Sequence, residues 1–382
     1  MIPELKKRLQ SVSHLRYASG LLNWDEETKM PGKGAATRSD VTMAFSGMAH
    51  AKFISLNKDG LLTKLKNQVE AGKLKGPDAA LVKETWRDFS IEKKLPEDFV
   101  EEMSKATSIC HRAWITARSK KSFNIFLPRF KKVLALKRKQ AVYIGFKKTP
   151  YEALLDIFEP YAQIEGVDAQ LRELKDFLVP FIKKIMAQGR GHASQPGTMA
   201  KKLLGNFTIK AQEQFNLGVV KKIGFDMNAG RIDAAVHPFT EGLHPTDVRL
   251  TVRYTNKNLF YSFFSALHEA GHGIYEQGLP QKWNGTPLGE SISLGVHESQ
   301  SRLYENIVGR GLPFWKYFYP RLQKQFPQPF GKIMLKDFYS ALNMVNPSFI
   351  RTEADEVTYS LHIIMRYEME KDLINGKIEA EN

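Results

Sequence analysis

Two histidines and a glutamate stand close together in the segment SALHEAGHGIYEQG, residues 265–278. The segment otherwise has the pattern of a buried amphipathic helix, which rarely carries such groups unless something satisfies them. Residues four apart lie on the same face of a helix, so His268 and His272 can direct imidazole nitrogens at one point. Glu269 lies about 100° round the helix from His268, within reach of a water but outside a coordination position. This is the H-E-x-x-H arrangement, in which two histidines hold zinc and the glutamate is a general base.

A catalytic zinc needs a third protein ligand and an open position for water. Glu276 lies about 12 Å from His268 along a helix axis, which is too far to share one tetrahedral centre. The third ligand must therefore come from another element. The helical context of HESQSRLYEN favours His297 or Glu298, among the candidates Glu290, His297, Glu298 and Glu305. Two histidines and one carboxylate would form a hydrolytic His₂Glu set. Glu305, two turns beyond Glu298, either supports a ligand or is an ordinary surface residue.

The elements that must position these groups are mostly helical. Residues 80–225 show helical periodicity, whereas apolar and polar residues alternate in DVRLTVRY, residues 247–254, which predicts a strand. The motif helix is predicted to begin near Asn258 and end at Gly278. Helical patterns follow in VHESQSRLYENIVG and over residues 348–375. These patterns predict a mainly α fold with a small β-sheet beside the motif helix.

Composition places the chain among ordinary globular proteins. Of its 382 residues, 42% are hydrophobic and 25% are charged, which argues against disordered or fibrous classes. The amino terminus MIPELKKRLQ lacks the apolar run of a secretory signal, and no stretch approaches the roughly 18 apolar residues of a membrane span. Cys110 is the only cysteine, which excludes an internal disulfide framework. We therefore expect a soluble cytoplasmic protein without a membrane partner.

A basic segment carries much of the net charge of +15. The segment RSKKSFNIFLPRFKKVLALKRKQAVYIGFKK, residues 118–148, contains eleven Lys or Arg and no Asp or Glu. A solvated helix face is the more common explanation of such a run, and a surface that binds polyanions is the alternative. The segment lacks the aromatic interleaving and Gly-rich motifs of nucleic-acid modules, so a nucleic-acid partner is not expected.

Several ordered blocks resemble the M32 family of metallocarboxypeptidases, the Thermus-type thermostable enzymes. They are HPF at 237–239, DVRLT at 247–251, HEAGH at 268–272, HESQ at 297–300 and IRTEAD at 350–355. The segments LLNWDEETKMPGKGAATR and GTPLGESISLG are also similar to that family. The match runs across nearly the whole chain, which makes it far more specific than one short motif.

The resemblance implies one mainly helical, zincin-like (gluzincin) peptidase domain over residues 1–382, with a long substrate groove. Residues 1–80 would form an amino-terminal helical dimerisation region, and residues 230–382 would hold the metal and substrate site. It also implies a homodimer that removes single residues from the free carboxyl termini of peptides. Glu298 becomes the third ligand, and Glu269 takes a proton from the attacking water and passes it to the departing amine. One divalent ion per chain is implied, with zinc expected and cobalt compatible.

An exopeptidase must also recognise the free carboxylate of its substrate, and the bidentate fork of arginine suits that task. Arg351 is the first candidate, on the predicted final helix four residues before Asp355. An ordinary helix pair between these two residues is the alternative. Arg249 on the strand and His237 in the HPF block either line the groove or brace the sheet against the motif helix.

The chain ends at KIEAEN, whereas members of the family continue with blocks resembling GxxQDxHW and GYFPTYxLG. By resemblance those blocks help to close the groove and contribute a tyrosine near the developing oxyanion. Loss of one such donor costs ~10²–10³ in rate. We therefore expect metal binding to survive better than catalysis. The alternative to an active carboxypeptidase is a catalytically impaired truncated homologue that binds metal and peptide.

Overall fold

A computed structural model of the protein describes residues 1–188, 203–351 and 354–381. Helices dominate this part of the chain, together with one three-stranded sheet. The α-helices of the amino-terminal half are α1 (Ile2–Thr28), α2 (Ala35–Ile54), α3 (Leu61–Glu70), α4 (Gly76–Glu92), α5 (Glu97–Lys120), α6 (Phe123–Ile144), α7 (Pro150–Phe158) and α8 (Ile164–Ala187). Those of the remainder are α9 (Ile209–Lys222), α10 (Leu259–Gln277), α11 (Leu294–Arg302), α12 (Leu312–Gln325), α13 (Pro327–Phe330), α14 (Leu335–Leu342) and α15 (Glu356–Ile374). The strands are β1 (Gly230–Ala234), β2 (Thr240–His244) and β3 (Asp247–Val252). The predicted mainly α fold with a small sheet is confirmed.

The chain forms two compact units. The first contains residues 1–86 and 184–356, and the second contains residues 87–183 and 357–382. The metal-site residues expected from the sequence all belong to the first unit. The single domain over 1–382, with its regions 1–80 and 230–382, stays a prediction.

The sheet of the first unit has the strand order β1-β3-β2, with β3 in the centre. Strand β3 is parallel to β1 and antiparallel to β2. Val248, Leu250 and Val252 point to one face of β3 and are almost completely buried. They pack with Ala266 and Ala270 of α10 in one apolar cluster. The alternating pattern in the sequence therefore correctly predicted the strand that supports the motif helix.

Helix α10 has the predicted bounds, with a clear signal at each end. The Asn258 side chain accepts hydrogen bonds from the backbone N–H groups of Phe260 and Tyr261, and Gly278 follows the last turn. On the side away from the sheet, α10 packs into a large aromatic core. This core includes Phe260, Phe263, Phe264, Leu267, Trp315, Phe318, Phe330 and Phe338. Burial on two sides explains why the helix is apolar around most of its circumference.

The segment after α11 departs from regular α-helix. Helix α11 ends at Arg302, and residues Leu303–Val308 continue as a π-helix. Such insertions are rare and often occur at functional sites. The indole N–H of Trp315 donates to the carbonyl of Gly309, 2.8 Å away, directly after the π-helix. The sequence correctly predicted a helical segment here but not its change of winding.

The predicted final helix of residues 348–375 is shorter than expected, because α15 begins at Glu356. Asp355 immediately precedes α15, and its side chain accepts a hydrogen bond of 2.9 Å from the backbone N–H of Asn346. Aspartate is favoured directly before a helix, and this bond ties it to the preceding loop. Arg351 therefore lies outside the helix, and the predicted helical spacing between Arg351 and Asp355 is wrong.

The second unit has its own core, built from α6, α7 and α15 around Leu134, Tyr151 and Tyr367. It also contains the basic segment 118–148. Lys131 pairs with Glu381, Lys132 with Glu102 and Lys148 with Glu165, and Arg138 donates to the carbonyl of Leu373 at 2.6 Å. Acidic groups from elsewhere in the unit therefore offset part of the charge. This pairing does not favour the polyanion-binding alternative.

None of the helices in the described ranges is long and apolar enough to cross a membrane.

Candidate metal centre

Three side chains from two helices converge at one point of the first unit. His268 Nε2 and His272 Nε2 on α10 lie 3.4 Å and 3.3 Å from the same carboxylate oxygen, Glu298 Oε2 on α11. One ligand atom from each of the three residues lies within 4.8 Å of the other two. Ligand atoms bound about 2.1 Å from a tetrahedral zinc ion are about 3.4 Å apart. The spacing of the three donors therefore fits one small divalent ion, and the His₂Glu donor set is that of hydrolytic zinc sites.

The two helices can bring these groups together because their backbones touch at Gly271. A Cβ atom at this position would lie 2.6 Å from both the Gln300 carbonyl oxygen and the Ser301 Cα atom. Any side chain would force the helices apart, so glycine is required by the close approach. Gly271 lies between the two histidines in sequence, and Glu298 lies on the facing helix just before the contact.

The Glu298 carboxylate and the His268 ring are both held by further hydrogen bonds. Ser301 Oγ donates to Glu298 Oε2 at 2.9 Å, and Arg302 Nε donates to Glu298 Oε1 at 3.1 Å. Arg302 also donates to Glu305 Oε2 at 2.8 Å, and that oxygen lies 2.7 Å from His268 Nδ1. A neutral His268 that donates Nδ1–H to Glu305 presents an unprotonated Nε2 to the ion. The contact with His268 therefore favours the hypothesis that Glu305 supports a ligand over the hypothesis that it is an ordinary surface residue.

His297 takes part in a different chain of contacts. Its Nδ1 contacts His272 Nδ1, and its Nε2 lies 2.6 Å from Glu276 Oε1. His297 and Glu276 therefore stand behind His272 and outside the three-donor group. Of the two favoured third ligands, the structure brings Glu298 to the histidines and turns His297 away. Glu290 lies elsewhere, 4.0 Å from Arg16.

Glu269 is buried beside the three donors, with 5% of its surface exposed. Thr240 Oγ1 on β2 donates to Glu269 Oε2 at 2.6 Å and holds the carboxylate in one orientation. Burial raises the pKa of Glu269 because a charged carboxylate is poorly solvated there. This environment suits a group that takes up and later releases a proton.

Electrostatics within the group favour a positive charge between the carboxylates. Burial alone would lower the pKa of His268, but its bonds to Glu298 and Glu305 raise it to about 9. Burial acts to raise the pKa of Glu298, yet both histidines and Arg302 hold it far below its usual range. In the protein without metal, a proton on His268 thus supplies the charge that a cation would supply.

A cavity of about 490 Å³ opens beside these groups. His268, Glu269 and Glu298 form part of its wall, and the predicted carboxylate-binding residue Arg351 lines it as well. Arg310 also lines the cavity, although no sequence pattern drew attention to it. The structure thus brings Arg351, from the loop before α15, into the same cavity as His268, Glu269 and Glu298.

Arg249 and His237, the other predicted substrate-binding residues, are not among the residues that line this cavity. The guanidinium of Arg249 binds the Asp247 carboxylate at 3.0 and 3.1 Å and stacks over Trp24, 4.3 Å from the ring centre. The backbone carbonyl of His237 accepts a 3.4 Å hydrogen bond from Thr251 Oγ1. Arg249 thus connects the sheet with Trp24 of α1, whereas the brace expected from the sequence was between the sheet and the motif helix. Substrate contact by either residue stays a prediction.

Sequence reasoning missed four polar residues around the site: Thr240, Ser301, Arg302 and Arg310. A signal existed for Arg302, which stands four residues after Glu298 and three before Glu305, spacings that pair charges on a helix. No local pattern connects Thr240 with Glu269, because strand β2 and helix α10 meet only in the folded chain.

Comparisons with known proteins identify the family. Residues 4–382 match the family described as Carboxypeptidase Taq (M32) metallopeptidase. The chain is 36% identical to thermostable carboxypeptidase 1 of Thermus thermophilus and 34% identical to carboxypeptidase 1 of Bacillus subtilis. Each of these alignments covers 98% of this chain, with 74% of the first relative and 73% of the second.

Solved structures agree with the sequence relatives. A carboxypeptidase of Pyrococcus furiosus superposes with a TM-score of 0.91 at 31% identity, covering 100% of this chain and 75% of that one. An M32 carboxypeptidase of Deinococcus radiodurans gives 0.88 at 32% identity, covering 99% and 74%. The chain therefore belongs to the M32 family of metallocarboxypeptidases.

Proposed function

We propose that this chain binds one zinc ion through His268, His272 and Glu298, and that Glu269 is its general base and acid. The observation that carries the proposal is the convergence of three donors on one point, 3.3–3.4 Å apart where measured, with a buried carboxylate beside them. Cobalt would also suit this donor set. The family implies a divalent metal, and the two imidazoles favour zinc over the oxygen-preferring ions.

When bound, the ion supplies a Lewis acid that polarises the scissile carbonyl and makes water more acidic. The protein residues carry the remaining steps. Thr240 occupies Glu269 Oε2, so Oε1 is the oxygen that takes the proton of the attacking water. Glu269 then gives this proton to the departing amine, and its raised pKa favours the protonated state between the two transfers.

The proposed substrates are peptides with a free carboxyl terminus, from which single residues are released. Arg351 supports this assignment because it lines the cavity whose wall includes His268, Glu269 and Glu298. Its guanidinium can form two parallel hydrogen bonds with a carboxylate. In this proposal, the other residues of the cavity wall determine which side chain is preferred at the last residue of the peptide.

We also propose that the protein acts in the cytoplasm as a homodimer. The single cysteine fits a reducing compartment. The dimer is carried over from the family resemblance, and sedimentation or light scattering of the purified chain at several concentrations tests it.

The decisive experiment measures metal content together with hydrolysis of an amino-blocked dipeptide that has a free carboxylate. Activity should disappear after chelation and return with stoichiometric zinc, while Glu269→Gln should bind zinc without turnover. A wild-type chain that binds one equivalent of zinc and peptide without hydrolysis would instead favour the catalytically impaired homologue. A chain that binds no divalent metal would contradict the proposed site itself.

A further inference from the structure

We propose that Arg310 is a second binding residue for the terminal carboxylate of the substrate, acting with the hydroxyl of Ser265. The inference rests on the proposed function and adds residues that sequence reasoning did not single out. Both residues belong to the first unit and line the cavity whose wall includes His268, Glu269 and Glu298.

Among the residues that the structure describes, no carboxylate forms an ion pair with the guanidinium of Arg310. Its Nη1 donates to the carbonyl oxygen of Leu342 at 2.9 Å, and its guanidinium lies 4.1 Å from the ring centre of Phe264. The buried Nε has no hydrogen-bond partner within the described ranges of the chain.

Three acidic groups, Glu305, Asp355 and Glu356, interact electrostatically with Arg310, and the first two are engaged by other residues. Glu305 binds His268 and Arg302, and Asp355 accepts from the backbone N–H of Asn346. Burial lowers the pKa of Arg310, yet an arginine remains charged at any ordinary pH. A buried charge without a partner is costly unless a ligand completes it. The structure thus has a built position for an anion.

Ser265 supplies a second unfilled donor at the same cavity. Its buried Oγ has no hydrogen-bond partner among the described residues, although serines in helices commonly bond to a carbonyl one turn back. Ser265 lies one residue after Phe264, over which Arg310 stacks, and three residues before His268. Both residues line the cavity, and a hydroxyl and a guanidinium can each donate to an oxygen of one carboxylate.

The position along α10 agrees with release of a single residue. Phe264 precedes His268 by four residues, which is about 6 Å along the helix axis. One residue of an extended peptide spans about 3.8 Å between Cα atoms, and the hydrogen bonds at each end add to that reach. This spacing along the helix is of the order that one residue needs to extend from a carboxylate near Phe264 to the level of His268. Stacking and the Leu342 bond hold the guanidinium in place before substrate arrives, which favours tight binding.

The test measures binding and turnover of a matched substrate pair, an amino-blocked dipeptide acid and its carboxyl amide. Arg310→Lys should lower kcat/KM for the acid by about 10- to 100-fold and leave the amide unchanged. In the zinc-loaded Glu269→Gln background, calorimetry should show the same selective loss of affinity for the acid. Ser265→Ala should weaken acid binding by about tenfold. Because Ser265 Oγ makes no hydrogen bond with the described residues, this variant tests the inference even if Arg310→Lys folds poorly.

Arg321 is the matched control. Like Arg310 it stacks on an aromatic ring, at 4.0 Å from Tyr317, and donates to one carbonyl oxygen at 2.8 Å, but it does not line the cavity. Arg321→Lys should leave both substrates unaffected. Equal losses for acid and amide, or no loss, in Arg310→Lys and Ser265→Ala would overturn the inference. If the parent protein itself fails to distinguish acid from amide, the proposed exopeptidase function fails as well, so the two failures are distinguishable.

Discussion

The contact at Gly271 leads to a specific prediction about metal binding. In Gly271→Ala, the added Cβ would lie 2.6 Å from the Gln300 carbonyl oxygen and from Ser301 Cα, whereas ordinary contacts begin at 3.4 Å. Helix α11 must therefore move by about 0.8 Å, because both clashing atoms belong to its backbone. Metal–ligand distances tolerate only about ±0.2 Å. Glu298, on the same helix, would be displaced by several times that tolerance.

We expect Gly271→Ala to weaken zinc binding by at least the ~10–100-fold that follows loss of a residue supporting a metal ligand. Intrinsic helix propensity predicts the opposite direction, since alanine is favoured over glycine in a helix by about 1 kcal/mol. The variant thus distinguishes the effect of the helix–helix contact, which predicts weaker zinc binding, from the effect of helix propensity, which predicts a more stable helix. The measurements are zinc affinity by competition with a chelating dye and the increase in Tm on adding zinc, which should shrink with the affinity.

Gly218→Ala provides the control. Gly218 also lies inside a helix, α9, but a Cβ there would have no atom within 4 Å. This substitution should leave zinc affinity unchanged and raise stability slightly. A Gly271→Ala protein that binds zinc within about twofold of the wild-type affinity would refute the argument that this backbone contact places Glu298.

Three further substitutions test the surrounding groups. Glu269→Gln should keep its zinc, because the side chain lies outside the donor group, and should lose ~10²–10⁴ in kcat; near-normal turnover of the loaded variant would remove Glu269 as the base. Glu305→Gln should reduce zinc affinity by ~10–100-fold by weakening support of the adjacent histidine, and an unchanged value in dye competition would show that this contact is dispensable. Asp247→Asn should lower the free energy of unfolding by about 2 kcal/mol, but only above about pH 4. Burial acts to raise the pKa of Asp247, but the bonds from Arg249 and Tyr17 outweigh it and lower the pKa in the folded protein. The stabilisation by Asp247 is therefore complete above the pKa of the unfolded chain, and it disappears as the pH falls through the pKa of the folded protein. Urea unfolding at several pH values checks this, and a pH-independent difference would contradict it.

Local patterns were sufficient to predict the elements that carry the site. The bounds of α10 follow from Asn258 and Gly278, and the buried face of β3 follows from the alternation of Val248, Leu250 and Val252. These signals succeed because caps and periodicity depend on near neighbours in sequence. The same reasoning predicted that two histidines four residues apart would face one point.

Local patterns failed where a contact distant in sequence overrides helical preference. Residues 348–355 have a helical pattern, yet the Asp355 side chain is bound to Asn346, and the helix begins only at Glu356. The change to π-helix after Arg302 is of the same kind. No spacing rule anticipates either feature.

The sequence by itself determined the family to which the chain belongs and predicted a metal centre on the H-E-x-x-H helix, with candidates for its third ligand. The residues alone left Glu298 and His297 open, and the family resemblance favoured Glu298. The tertiary structure places Glu298 Oε2 within 3.4 Å of both Nε2 atoms, whereas His297 contacts His272 Nδ1. It also brought Thr240 to Glu269 and Arg310 to the cavity. The physical reason is that a catalytic group needs partners from several elements, and their meeting depends on backbone packing such as the contact at Gly271.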